Sequence, residues 1–195
     1  NDSGLMYSFY ATVDLTAPDT TIVTGPAAYT TATGAIFDLS SNDPGAVYEC
    51  SLDGGAYAAC TDPATYSGLI DGAHTLDARA IDTAGNVDAT PAHYSWTVDT
   101  TPPDTTIVSG PVPLTSATTA TFDFSSDETG VTYECSLDGA AYAACTDPVT
   151  FSGLLNGNHT LDVRAVDQAG NKDLTPAHHA WTIDTDAVDT FIVSG

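Results

Sequence analysis

The thirteen residues from Tyr48 to Cys60, YECSLDGGAYAAC, return 85 residues later as YECSLDGAAYAAC, from Tyr133 to Cys145, with only Gly55 changed, to Ala140. The same offset carries Phe37 onto Phe122, His74 onto His159, Asp82-Thr-Ala-Gly-Asn86 onto Asp167-Gln-Ala-Gly-Asn171, and Trp96 onto Trp181. A period this regular marks a tandem array, so each copy must close its own core within about 85 residues. Extended outward, the register divides the chain into 15–99 and 100–184 as complete repeats. Residues 1–14 then read as the last strand of a preceding or neighbouring unit, and 185–195 as the first strand of a following one.

Units of this size need either many large apolar side chains or a staple. Thr, Ala, Asp, Gly and Ser dominate here, with one Trp per copy, so a staple is expected. Four cysteines allow three connectivities, and their spacing favours the local pairs Cys50–Cys60 and Cys135–Cys145. Zinc is disfavoured, since no Cys-x-x-Cys or suitably spaced His accompanies them. Closing such a loop contributes about 2.8 kcal/mol in the chain-entropy model. Disulfides persist outside the cytosol, which predicts an extracellular or cell-surface protein.

Short alternating runs broken by Gly, Asp, Asn and Pro predict an all-β sandwich and no helices. In the first copy, strands are expected near Asp19–Thr24, Ala32–Ser40, Ala46–Asp53, Ala56–Thr61, Ala64–Ser67, His74–Asp82 and Ala92–Val98. About seven strands suit an immunoglobulin-like, fibronectin III-like β-sandwich. Alternation points Phe37, Leu39, Tyr48, Cys50, Leu52, His74, Leu76, Ala78, Tyr94, Trp96 and Val98 inward. Turn chemistry at Asp53-Gly54-Gly55-Ala56 lets the two cysteines face each other across a hairpin. Glu49 and Arg79, repeated as Glu134 and Arg164, fall on outer faces and are expected to form cross-strand ion pairs.

The blocks Pro103-Asp-Thr-Thr-Ile-Val-Ser-Gly-Pro111, Tyr133-Glu-Cys-Ser-Leu-Asp-Gly, Val163-Arg-Ala-Val-Asp-Gln-Ala-Gly-Asn171 and Trp181-Thr-Ile-Asp184 resemble tandem immunoglobulin-like (Big-type) repeats of large bacterial and archaeal surface proteins. The resemblance implies an extender of an adhesin or extracellular filament, with neighbouring copies of the repeat as partners and, in some arrays, calcium at domain junctions. Ala11, standing where Trp96 and Trp181 sit, departs from the pattern. Met6 to Val13 is expected to pair into a neighbouring domain or subunit, either along a longer chain or by strand addition in a filament. The link from Val98 to Asp104, with its two prolines, is expected to be extended and stiff.

With 26 acidic residues against three basic ones, the formal net charge is −23. That argues against nucleic acid, and favours divalent cations, a salty habitat or simple solubility. No apolar run reaches the length of a membrane span, so membrane insertion is not expected in this segment. An active site needs one aligned, nonrepeated constellation, whereas nearly every polar feature here is duplicated. His74 and His159 sit inside strands, and His93, His178 and His179 lie without a nucleophile elbow, so no enzyme is expected.

Calcium is the cofactor to weigh. Asp82, Asn86 and Asp88 share one loop and are placed to converge with Asp99 or Asp104, while Asp167, Asn171, Asp173 and Asp184 occupy corresponding positions in the second copy. The competing reading is turn chemistry, and Lys172 inside the second loop is a poor neighbour for a cation. A glycan-binding face has little support, because the aromatic residues fall on inward positions. Asn1-Asp-Ser3 and Asn158-His-Thr160 match a glycosylation acceptor pattern, and the second, with Ala73 opposite it in the repeat, reads as accidental.

Overall fold

The computed structural model describes residues 13–186. The chain separates into two compact units, Asn1–Asp99 and Thr100–Gly195. The strand proposed for Met6 to Val13, and most of 185–195, lie outside the described residues; Val13 itself is exposed.

In the first unit the strands are β1 (Thr20–Thr24), β2 (Tyr29–Thr30), β3 (Gly34–Ser41), β4 (Val47–Leu52), β5 (Ala58–Cys60), β6 (Ala64–Ser67), β7 (Gly72–Ile81) and β8 (Ala92–Val98). The second repeats them as β9 (Thr105–Ser109), β10 (Leu114–Thr115), β11 (Thr119–Ser126), β12 (Thr132–Leu137), β13 (Ala143–Cys145), β14 (Val149–Ser152), β15 (Gly157–Val166) and β16 (Ala177–Ile183). No helix forms among the described residues. Each unit is an immunoglobulin-like, fibronectin III-like β-sandwich. A three-stranded sheet ordered β1-β3-β6 faces a five-stranded sheet ordered β2-β8-β7-β4-β5, and the second unit has the equivalent pair.

The eighth strand is the departure from the seven expected. After β1 the chain meets Gly25-Pro26, where proline has no N–H for the ladder, and it crosses to the other sheet. There Thr97 N donates to Ala28 O at 2.8 Å and Asp99 N donates to Thr30 O at 2.9 Å, so β2 joins β8 in parallel. Gly25 is required by space. A Cβ there would lie 2.8 Å from Tyr94 Cζ and 3.0 Å from Phe37 Cε1, and at Gly110 it would lie 2.8 Å from Phe122.

Phe37 occupies the centre of the first core, fully buried, with Tyr66, Tyr94 and Trp96 set edge-on around it. Strands β3 and β7 alternate strictly, burying Ala35, Phe37 and Leu39, and His74, Leu76, Ala78 and Ala80. Phe122 takes the same place among Phe151, His179 and Trp181. The two polar tips at this position reach equivalent carbonyls: Tyr94 Oη donates to Pro26 O at 2.5 Å, and His179 Nε2 donates to Pro111 O at 3.0 Å.

A threonine joins the two sheets of each sandwich. Ala80 N, on β7, donates to Thr20 Oγ1 on β1 at 2.7 Å, and Ala165 N donates to Thr105 Oγ1 at the same distance. The buried backbone N–H thereby finds an acceptor in the opposite sheet.

The hairpin corrects one expectation. Gly55 N donates to Leu52 O at 2.9 Å around Asp53 and Gly54, whose φ values are 52° and 69°. The turn therefore centres on Asp-Gly, the sequence best suited to two left-handed residues, rather than on a point midway between the cysteines. As a result Tyr48 opposes Cys60 and Cys50 opposes Ala58. The Cys50–Cys60 bridge runs diagonally across the hairpin with 5.8 Å between Cα atoms, and Cys135–Cys145 does the same.

Candidate metal centre

The Asp82 loop follows β7, and its geometry comes largely from Asp82 itself. Oδ1 accepts hydrogen bonds from Ala84 N and Asn86 N, each at 2.8 Å, and Oδ2 accepts from Asn86 Nδ2 at 2.7 Å. Those bonds, the Asn86 side-chain amide first, hold the Asp82 carboxyl below its ordinary range. Gly85 takes φ 91° at the apex. In the second copy Asp167 accepts from Asn171 N at 2.8 Å and from Asn171 Nδ2 at 2.6 Å.

Asp88 and Asp173 point away from this group and into the fold. Asp88 is buried, and its Oδ1 accepts from Thr90 N at 2.8 Å and Thr90 Oγ1 at 3.1 Å. Burial raises its pKa, but the Thr20 hydroxyl and the Thr90 donors outweigh that, and the carboxyl titrates below its ordinary value. Its Oδ2 has no partner at full hydrogen-bond geometry, although Thr20 stands beside it. Asp173 has a complete set: Thr175 N donates to Oδ1 at 2.7 Å, and Thr105 N donates to Oδ2 at 2.9 Å. These two carboxylates secure the first strand of their sandwiches.

What the structure brings to Asp82 comes from elsewhere in the first unit. Carboxylate oxygens of Asp14, Asp43 and Asp82 lie within 4.8 Å of one another. Asn86 Nδ2 also donates to Asp14 O at 3.1 Å, holding that segment in place. Asp14 is exposed, Asp43 half-buried and Asp82 buried. Oδ1 of Asp82 has both lone pairs engaged, so Oδ2 has one left to offer a cation. Three carboxylates with one monodentate donor are fewer than the six to eight oxygens calcium takes, leaving the rest to carbonyls or water. Asp43 lay outside the loop singled out from sequence. A usable signal existed, because the 85-residue offset places an acid, Glu128, at the same point of the second copy. Asp14 likewise falls on Asp99.

Asp104 and Asp184, also named from sequence, make local bonds. Asp104 N donates to Asp127 Oδ1 at 2.7 Å, and Asp184 Oδ1 accepts from Asp186 N at 3.0 Å. Glu49 and Arg79 stand opposite each other on β4 and β7, with Nη2 2.7 Å from Oε2. The Arg79 guanidinium also lies 4.0 Å over the Tyr57 ring. Arg164 repeats both contacts with Glu134 and Tyr142. Lys172 Nζ reaches Glu134 Oε1 at 3.0 Å, and Lys172 first, then Arg164, holds that glutamate below its usual pKa. All three basic side chains of the protein are thus paired with glutamate.

His74 is buried under Trp96. Its Nδ1 donates to Asp53 Oδ2 at 2.9 Å and its Nε2 to Ile70 O at 2.8 Å. Both partners are acceptors, so the ring satisfies both as imidazolium, and the Ile70 carbonyl first and Asp53 second raise its pKa. His159 repeats this with Asp138 and Leu155 O. The exposed His93 and His178 pair with Asp77 and Asp162, each at 2.6 Å. A groove of about 460 Å³ lies beside the first disulfide and one of about 550 Å³ beside the second; among the described residues no acid, base or histidine lines either.

No family model matches the chain. Over 155 residues, 69% of the chain, it is 37% identical to Halomucin of Haloquadratum walsbyi (strain DSM 16790 / HBSQ001), and it spans 2% of that protein's length. Among solved structures it is similar to fibronectin(III)-like modules of Clostridium thermocellum CbhA, at 15% identity and TM-score 0.49, covering 89% of this chain and all of that one. A 1.5-MDa bacterial ice-binding adhesin gives 15% identity and TM-score 0.44, covering 87% of this chain and 65% of that one. The fold assignment rests on the sheets themselves.

Proposed function

We propose that the chain is an extender segment of a large extracellular surface protein, non-catalytic, with further copies of the same unit as its partners. One observation carries this reading: the same polar contacts recur in both copies at the 85-residue offset. The buried aspartates bond loop and strand, the histidines clamp turns, and the arginines are neutralised by glutamates on the neighbouring strand. A design repeated residue for residue along the chain suits mechanical spacing in series. The disulfides support an oxidising, extracellular location, and the similarity to a segment of Halomucin supports membership in a long chain.

Single-molecule pulling tests it. A spacer of independent units gives two unfolding steps of equal length, and reduction lengthens each by roughly 30 Å as the ten bridged residues join the extension. One merged step, or saturable micromolar binding in a screen of soluble glycans, overturns the spacer reading.

A second reading, calcium as a stiffener of the first unit, is supported by the Asp14, Asp43 and Asp82 grouping. Asp14 and Asp43 would donate directly and Asp82 through its remaining Oδ2 lone pair. Calorimetry should then register calcium binding that Asp43→Ala removes, while no heat in the parent chain rejects it.

A further inference from the structure

Asn158-His159-Thr160 is the polar motif that the spacer role leaves unused. Asn158 is the second residue of β15 and is exposed. Strand β12 ends at Leu137, opposite Leu161, so Asn158 stands at a corner of the sheet with a strand partner only on the β16 side. Across from it, Thr182 Oγ1 donates to Asn158 Oδ1 at 2.9 Å, which orients the amide. Among the described residues none accepts a hydrogen bond from its Nδ2. Beside it, on the outer face, is a shallow groove of about 320 Å³ whose lining includes Pro113, Thr160, Ala180 and Thr182. The equivalent groove of the first unit, about 290 Å³, has Ala73 in place of the asparagine.

We propose that Asn158 is an N-glycosylation site and that the second unit alone, of the two, carries the modification at this position. The donor class is an oligosaccharide linked through phosphate to a polyprenyl carrier. Asn158 Nδ2 forms a bond to the anomeric carbon of the first sugar while the bond from that carbon to the carrier phosphate breaks. The phosphate leaves as an anion, the Nδ2 proton passes to solvent, and no oxidant or reductant takes part. The product keeps Oδ1 as an acceptor, so the Thr182 bond survives and the sandwich is undisturbed. Small side chains on the groove give the first sugar room to lie against the sheet.

This inference rests on the extracellular reading, and mass spectrometry of the native protein separates the two. Chymotryptic peptides spanning Asn158 should carry a sugar mass, with sugar fragment ions on tandem analysis, while peptides spanning Ala73 carry none. In the native host, Thr160→Ala should abolish the modification and Thr160→Ser should restore it. Thr160 N, which donates to Asp138 Oδ1, is kept in both variants, so folding is preserved. An unmodified Asn158 with both disulfides intact overturns the glycosylation site alone. Four free thiols with an unmodified Asn158 overturn the extracellular reading and this inference with it.

Discussion

At the scale of single residues, the sharpest demand falls on Gly25 and Gly110. Each passes so close to the central phenylalanine that a methyl group has no room, which makes Gly25→Ala or Gly110→Ala an overpacking change. Either should destabilise its own unit by about 1–3 kcal/mol, seen as a lower denaturant midpoint. The buried histidines give a pH signature. The folded-state pKa of His74 and of His159 lies above 6.5, so their stabilisation is complete below about pH 6.5 and is lost as pH rises through the raised value. The partner Asp53 is exposed, and its partial desolvation is outweighed by the Thr75 N–H and His74, which lower its pKa, so its contribution holds above about 3.8 and fades as pH falls through the folded value. The difference in unfolding midpoint between the parent and a His74→Gln, His159→Gln double variant should therefore shrink above pH 6.5. A difference that grows with alkalinity contradicts the imidazolium assignment.

Within elements, the disulfide and the threonine link act on different strands. Replacing Cys50 and Cys60 by serine should cost about 2–3 kcal/mol, measured by equilibrium unfolding. Thr20→Val, which leaves the Ala80 N–H buried without an acceptor, should cost about 1–3 kcal/mol. Most of the architecture was legible in the sequence, because β3, β7 and β8 carry strict period-two alternation and that pattern admits one register against the core. Strand β2 was not, since two residues are too few to show a period and its pairing is fixed by a crossover after Pro26. The pairing of the cysteines was legible and the diagonal course of the bridge was not, because equal spacing about a turn fixes no register; Asp53-Gly54 does. Of the acids named for a metal, Asp88 faces inward to Thr20 and Thr90, whereas Asp43, not among those named, joins Asp82 from the β3–β4 loop, a proximity created by tertiary structure.

Across the whole molecule, a formal charge of −23 over 195 residues is self-repelling, and the three basic side chains are already paired with glutamate. Adding sodium chloride from 0.05 to 1 M should therefore raise the thermal midpoint, because screening relieves repulsion among acids more than it weakens so few ion pairs. A midpoint that falls with salt would mean those few pairs outweigh the repulsion. The placement of the disulfides also bears on how such a chain changes over generations. Each bridge is closed between consecutive strands of a single unit. When recombination between the two repeats adds or deletes 85 codons in register, every cysteine in the product still has its own mate ten positions away. Length can thus vary from one lineage to the next without an orphan thiol ever appearing.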